Sequence, residues 1–223
     1  MRRRDLIGAL AAAAAAGWLP AAAAANAGTS GSARLREFSR TAQSASGRFT
    51  QVMTDKDGKR IDGPLEGDFA FERPGRFFWN VRTPYPQRII SDAKSIYVWD
   101  PDLNQVTIKR LSAAISSTPA AMLFGTADID ASFALEDTAA PANSARGWVW
   151  VRATPRTEDL TYAAIELAFD ASGRIAAMRL KDHFGQTTAL DFSGVEINAG
   201  VDPARFVFET PQGADVLRDD NGS

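Results

Sequence analysis

The stretch Gly67-Asp68-Phe69-Ala70-Phe71-Glu72-Arg73-Pro74-Gly75-Arg76-Phe77-Phe78-Trp79 decides the fold class. Leu65, Gly67, Phe69 and Phe71 alternate with Glu66, Asp68, Ala70 and Glu72, so one strand face is apolar and the other mostly acidic. Pro74-Gly75 supplies the residues a type II turn asks for at its two central positions. Phe77, Trp79 and Val81 resume the alternation beyond the turn. The stretch therefore reads as a β-hairpin with one strongly aromatic face.

The same period of two extends outward in both directions. Upstream, Phe49, Gln51 and Met53 share a face, separated from the hairpin by the turn signal Asp57-Gly58. Downstream, after the break at Pro84-Tyr85-Pro86, strands are expected over Arg88 to Ser91, Ser95 to Asp100 and Gln105 to Arg110. More follow at Ser132 to Glu136, Gly147 to Ala153, Ala163 to Asp170, Arg174 to Asp182, Thr187 to Glu196 and Arg205 to Glu209. Ser172-Gly173 and Phe184-Gly185 mark tight hairpins, and Pro141 to Ala145 a loop. Two segments read as helices instead. Ala33 to Ser46 carries Leu35, Phe38 and Ala42 at helical spacing, with Gly47 closing it. Thr118-Pro119 would cap a short apolar helix, Ala120 to Phe124, ended by Gly125. About eleven strands without βαβ alternation predict one curved, meandering antiparallel sheet with helices on its concave side.

Residues 1–27 are expected to be a cleaved signal peptide, leaving one domain over 28–223. Arg2, Arg3 and Arg4 form a basic start, Leu6 to Leu19 a short apolar run, and Ala25-Asn26-Ala27 a small-residue cleavage site. The run is too short to span a bilayer. Arg3-Arg4-Asp5-Leu6-Ile7 also fits a loose twin-arginine pattern, so either export route is open. Removing residues 1–27 shifts the formal charge from −2 to −4 through loss of three arginines and one aspartate. A mildly acidic exported chain is a poor match to nucleic acid or an anionic membrane surface. The chain has no cysteine, so it has no disulfide and no lipid-bearing N-terminal cysteine of its own.

The residues offer little for catalysis. His183 is the only histidine and lies at a hairpin, where an exposed turn residue is the expected reading. No second histidine and no cysteine could complete a metal site or a nucleophilic arrangement. No Gly-x-Ser-x-Gly elbow and no phosphate-cradling glycine loop occurs. A pairing such as Glu66/Asp68 lies on the face opposite the apolar residues, so a carboxylate-based hydrolase is disfavoured. No catalytic residue, metal or cofactor is expected.

The chain carries many aromatic residues on its apolar faces: Phe49, Phe69, Phe71, Phe77, Trp79, Trp148, Trp150, Phe169, Phe192, Phe206 and Phe208. Each alone reads as core. Together they are more than one curved sheet with two small helices has partners for, and an incompletely filled concavity would bind an acyl chain. Composition does not separate a filled core from such a hollow.

Several stretches, in order, resemble the periplasmic outer-membrane lipoprotein carrier family (LolA-type). They are Gly47 to Gln51, Gly67 to Trp79, Ser91 to Thr107, Thr118 to Gly125, Phe184 to Asn198 and Phe206 to Val216. They cover most of the chain after residue 27. Ala93 departs from the family pattern, which commonly has glycine in that turn, and Ala127 to Arg146 matches nothing in it. The resemblance implies an unclosed β-barrel with helices as a lid over its concave side. It implies that Arg73 bonds carbonyls of a lid helix, expected over Thr118 to Gly125, and holds the empty cavity shut. Phe77 falls on an aromatic position to which the family's function is sensitive. The residues expected to contact lipid or lid are Arg73, Phe77, Phe69, Phe71, Trp79, Met122, Leu123 and Phe124.

By the same resemblance, the expected function is a soluble, monomeric periplasmic carrier that binds acylated lipoproteins by their acyl chains. It would load from an inner-membrane ABC-type exporter and deliver to an outer-membrane receptor lipoprotein. The alternative is a module of the same fold that binds another envelope lipid, such as a glycolipid, without lipoprotein transfer.

Overall fold

The structure is a computed structural model that describes residues 29–111, 129–156 and 162–219. The expected signal peptide and the helix at Ala120 to Phe124, with Met122, Leu123 and Phe124, lie outside these residues. Twelve strands form one sheet: β1 (Ser44–Thr54), β2 (Arg60–Glu72), β3 (Arg76–Thr83), β4 (Gln87–Asp92), β5 (Ser95–Asp100) and β6 (Gln105–Arg110). They continue as β7 (Phe133–Thr138), β8 (Val149–Pro155), β9 (Tyr162–Phe169), β10 (Ile175–Asp182), β11 (Thr187–Ile197) and β12 (Asp215–Asp219). Helix α1 (Gly31–Thr41) precedes the sheet, and α2 (Ile129–Ser132) leads into β7.

The strand order is β12-β6-β5-β4-β3-β2-β1-β11-β10-β9-β8-β7. All neighbours are antiparallel except β12 and β6, which run parallel. The two edge strands, β12 and β7, do not pair, so the barrel is unclosed. Its curvature follows from one ring. Phe38 of α1 lies 6.2 Å from Phe71 on β2 and 5.9 Å from Phe169 on β9, which caps the Phe71–Phe169 separation at about 12 Å. These strands are four steps apart, about 19 Å on a flat sheet at ~4.8 Å per step. The sheet therefore bends around α1, and Leu35 and Phe38 are buried in the concavity.

Two expected element boundaries are corrected. The first helix spans Gly31–Thr41 rather than Ala33 to Ser46, with Ser30 as N-cap. Ala42 is already extended, and Ser44, Ala45 and Ser46 pair with β2, because ladder hydrogen bonds to Glu72, Phe71 and Ala70 replace another helical turn. Gly47 ends no helix: it sits in β1, where a Cβ would lie 2.9 Å from the Phe69 ring. The last strand is likewise not at Arg205 to Glu209. Asp202 accepts from the Ala204 amide at 3.0 Å and Pro203 opens a 3-10 helix, Pro203–Phe206, as an N-cap followed by proline favours. The final strand is β12.

The 3-10 helix packs on β3 and β4 from the convex side. Phe206 is buried, Phe208 stacks on Tyr97 at 5.0 Å, and the Arg205 guanidinium lies 5.4 Å over Phe78. Phe78, Ile90, Tyr97 and Ile108 stand in one cross-strand row, on the face opposite Phe77 and Trp79. Trp150 is also on the convex side, in a small cluster with Ala168 and Ala177 against which Trp148 packs. Four of the eleven aromatics, Trp148, Trp150, Phe206 and Phe208, thus serve the convex side rather than the concavity. Alternation reveals two faces, but not which element covers each.

Candidate functional site

The β2–β3 hairpin places the site. Gly75 has φ +75, in the left-handed region that glycine adopts freely, and Arg73 follows the end of β2 beside the last turn of α1. The Arg73 guanidinium donates from Nη1 to the Ser39 carbonyl of α1. Its carbon lies 5.6 Å from the Phe71 ring and 6.0 Å from the Phe38 ring, within cation–π range. Burial lowers its pKa from the usual arginine value, yet a guanidinium does not shed its charge in a protein. The Arg73 amide donates to Gln43 O at 2.8 Å. Among the described residues, the helical carbonyl that meets Arg73 belongs to α1. The Thr118 to Gly125 segment, where the resemblance put that carbonyl, is not among them.

Ser91 supports this turn from the next strand, and no sequence signal singled it out. It is fully buried, donates from Oγ to Gly75 O at 2.7 Å and accepts from the Ala93 amide at 3.3 Å. Ala93 itself has φ +76, the left-handed conformation that glycine adopts most readily, so its departure from the family pattern falls where the backbone makes it costly.

Phe69, Phe71, Phe77 and Trp79 all lie on the concave side and are buried. They are packed against other parts of the chain. Trp79 stacks on Phe49 at 3.8 Å, Phe69 meets Phe192 edge-on at 5.3 Å, and Phe71 meets Phe38. The α1 end of the concavity is therefore filled by the protein's own rings.

The opposite end is open. There two hollows flank the β1–β2 pair, where the β1, β2, β3, β10 and β11 ladders run out into turns. One, of about 370 Å³, is lined by Met53, Tyr162, Leu180 and Thr188, with the Asp182–Gln186 turn at its edge. The other, of about 450 Å³, is lined by Leu65, Val81, Tyr85, Gln87, Leu103 and three aspartates, Asp62, Asp100 and Asp102. Each falls at the lower end of the roughly 300–1,000 Å³ typical of ligand pockets. Exposed apolar side chains rim them: Phe184 at 82% exposure at the first, and Tyr85 at 66% and Leu103 at 67% at the second, each from a different turn. His183 is an exposed residue of the Asp182–Gln186 turn, where Asp182 accepts from the Phe184 and Gln186 amides at 2.9 and 2.8 Å. Among the described residues no group of three His, Cys, Asp or Glu side chains could hold a metal. No described helix is long and apolar enough to cross a membrane.

The family model for "Outer membrane lipoprotein carrier protein LolA" matches residues 40–209. An outer-membrane lipoprotein carrier protein of Bordetella avium is 40% identical over 185 residues, covering 83% of this chain and 86% of the relative. One of Cupriavidus pinatubonensis is 38% identical over 221 residues, covering 98% and 100%. A crystal structure of a LolA superfamily protein from Nitrosomonas europaea aligns with TM-score 0.45 at 11% identity, covering 80% of this chain and 98% of that one. The chain belongs to the LolA family of outer membrane lipoprotein carrier proteins.

Proposed function

We propose that this protein is a periplasmic carrier, not an enzyme, that shelters lipoprotein acyl chains in the open end of its half-barrel. One observation carries the reading: a concavity packed with rings at the α1 end and open in two partly apolar hollows at the other, with a half-buried arginine tying helix to sheet. Family membership supports lipoprotein as the cargo. The inner-membrane exporter and the outer-membrane receptor lipoprotein are the partners such a carrier would meet, and residues 1–27 the signal that would export it.

Magnitudes show how the tie yields. A hydrogen bond to a charged group is worth roughly 1.5–3 kcal/mol. Burying an acyl chain of about a dozen methylenes is worth roughly 10 kcal/mol at ~0.8 per CH₂. Lipid thus outweighs the Arg73 bond. Full burial of a triacylated cargo would exceed the practical affinity ceiling of roughly −20 kcal/mol. Hollows of about 370 and 450 Å³ suit partial shelter, which leaves the load releasable.

The test is Arg73→Leu in a two-step transfer assay. The variant is expected to fold and accept cargo, and to pass it to acceptor membranes poorly, because the empty closed state is no longer favoured. Wild-type transfer would contradict the role given to Arg73. Mass spectrometry of material co-purified from the periplasm should find acylated peptides; a glycolipid instead would overturn lipoprotein as the cargo.

A further inference from the structure

A helix leaves its last carbonyls without partners inside the helix, and at the end of α1, beyond the closing bond of the Ala42 amide to Phe38 O at 3.0 Å, two of them are met by side chains. Ser39 O accepts from Arg73, and Thr41 O from Asn198 Nδ2 at 3.0 Å. Asn198 lies just beyond β11 and does more than this. Its Oδ1 accepts from the amides of Gln43 and Ser44 at 2.8 and 3.2 Å, and its own amide donates to Ser44 O at 2.8 Å. One side chain therefore grips the last turn of α1 and the first residues of β1 together. It does so at φ +57, a left-handed conformation that asparagine tolerates better than most residues. From the hairpin side, the Arg73 amide bond to Gln43 O at 2.8 Å and the Phe38–Phe71 contact hold the same joint, and the Asn198 grip adds the bond to the Thr41 carbonyl, two residues beyond Ser39.

We propose that Asn198 is a positioning residue for the Arg73 tie: it fixes the α1–β1 joint so that the Ser39 carbonyl meets the guanidinium. It thereby sets how strongly the empty cavity resists a lipid. This rests on the carrier reading. The far end of α1 is held independently. Asp137 accepts from the Ser32 amide and hydroxyl at 2.6 and 3.1 Å, and Arg36 pairs with Asp130 at 2.8 Å. Loss of the Asn198 side chain frees the last turn of α1 and leaves the helix docked.

The test is a double-mutant cycle on the exported chain, with dansyl-undecanoic acid as a fluorescent fatty-acid probe. Asn198→Gly suits the φ of +57 and removes only the side-chain grips. Asn198→Gly and Arg73→Leu should each bind the probe roughly three- to ten-fold tighter, since each lowers the population of the closed empty state. The double variant should bind no tighter than Arg73→Leu alone, because Asn198 acts through Arg73. Amide exchange over residues 39–45 should rise in Asn198→Gly and be unchanged over residues 31–36. Should Asn198→Gly lose the fold by circular dichroism, Asn198→Asp, which keeps the acceptor and loses the donor, carries the same cycle. Additive effects, or an unchanged affinity in the Asn198 variant, would overturn this inference alone. No probe binding by wild type or Arg73→Leu would overturn the carrier reading, and this inference with it.

Discussion

Ala93 is held at φ +76 by its neighbours: the Gly75 turn packs against it and Ser91 Oγ accepts from its amide. A left-handed conformation costs a non-glycine residue roughly 1–2 kcal/mol, part of which glycine forfeits through its freer unfolded chain. Ala93→Gly should therefore stabilise the protein by about 0.5–1 kcal/mol, raising Tm by about 2–3 °C in a thermal melt. An unchanged or lower Tm would show that the Ala93 methyl is worth more than its backbone costs. Arg73 was legible as a candidate through the family resemblance, since an arginine at a strand end before proline by itself reads as a solvated charge. Its observed partner, Ser39 O, was not: a main-chain acceptor is set by where a helix comes to rest, and every residue type offers the same carbonyl. Ser91 and Asn198 escaped notice for a similar reason, since small polar residues near strand ends usually face water.

At the scale of elements, β1 and β2 meet through Gly67. It pairs with Phe49, whose ring lies across it, and an added Cβ would stand 2.5 Å from that ring and 2.1 Å from Asn80 O. Its φ is ordinary, so the requirement is for space. Gly67→Ala should cost about 3 kcal/mol, at the upper end of overpacking penalties because one neighbour is backbone. Urea denaturation would read this as a lower midpoint with an unchanged slope, and a loss under 1 kcal/mol would contradict the packing described. Most strands were legible because alternation and turn residues agree, as at Asp57-Gly58, Ser172-Gly173 and Phe184-Gly185, whose glycines have φ of +80, +81 and +84. The misread strand at Arg205 to Glu209 shows the limit. Phe206 and Phe208 do alternate, but they pack on the convex face rather than in a ladder, and Asp202-Pro203 starts a 3-10 turn instead. β12 was missed because its sequence, Asp-Val-Leu-Arg-Asp, has no apolar period and joins β6 only as an edge.

Taken whole, the molecule is a bent sheet whose two sides carry different loads, a core and cavity inside and a C-terminal strap outside. Its acid stability follows from turn carboxylates. Burial would raise Asp92, Asp137 and Asp170, but hydrogen bonds outweigh it. Asp92 accepts from the Ser95 and Lys94 amides and the Tyr97 hydroxyl, Asp137 from Ser32, and Asp170 from Ser172 and Arg174. All three are held below the ordinary carboxylate value. The unfolded chain therefore takes up protons first as pH falls, so this stabilisation is complete above about pH 4 and lost below it. Tm should be nearly flat from pH 8 to 5 and fall between pH 4 and 2; a flat profile to pH 2 would contradict it. That the concavity is filled at one end and hollow at the other was beyond sequence, because Phe69 and Leu65 share a strand face yet meet different surroundings. Whether acyl chains occupy the hollow end is read most directly by photocrosslinking with a fatty acid bearing a terminal diazirine, mapped by mass spectrometry. Adducts are predicted on Met53, Leu65, Val81, Tyr162 and Leu180. Adducts confined to the convex side around Trp150 or Phe206 would contradict the account.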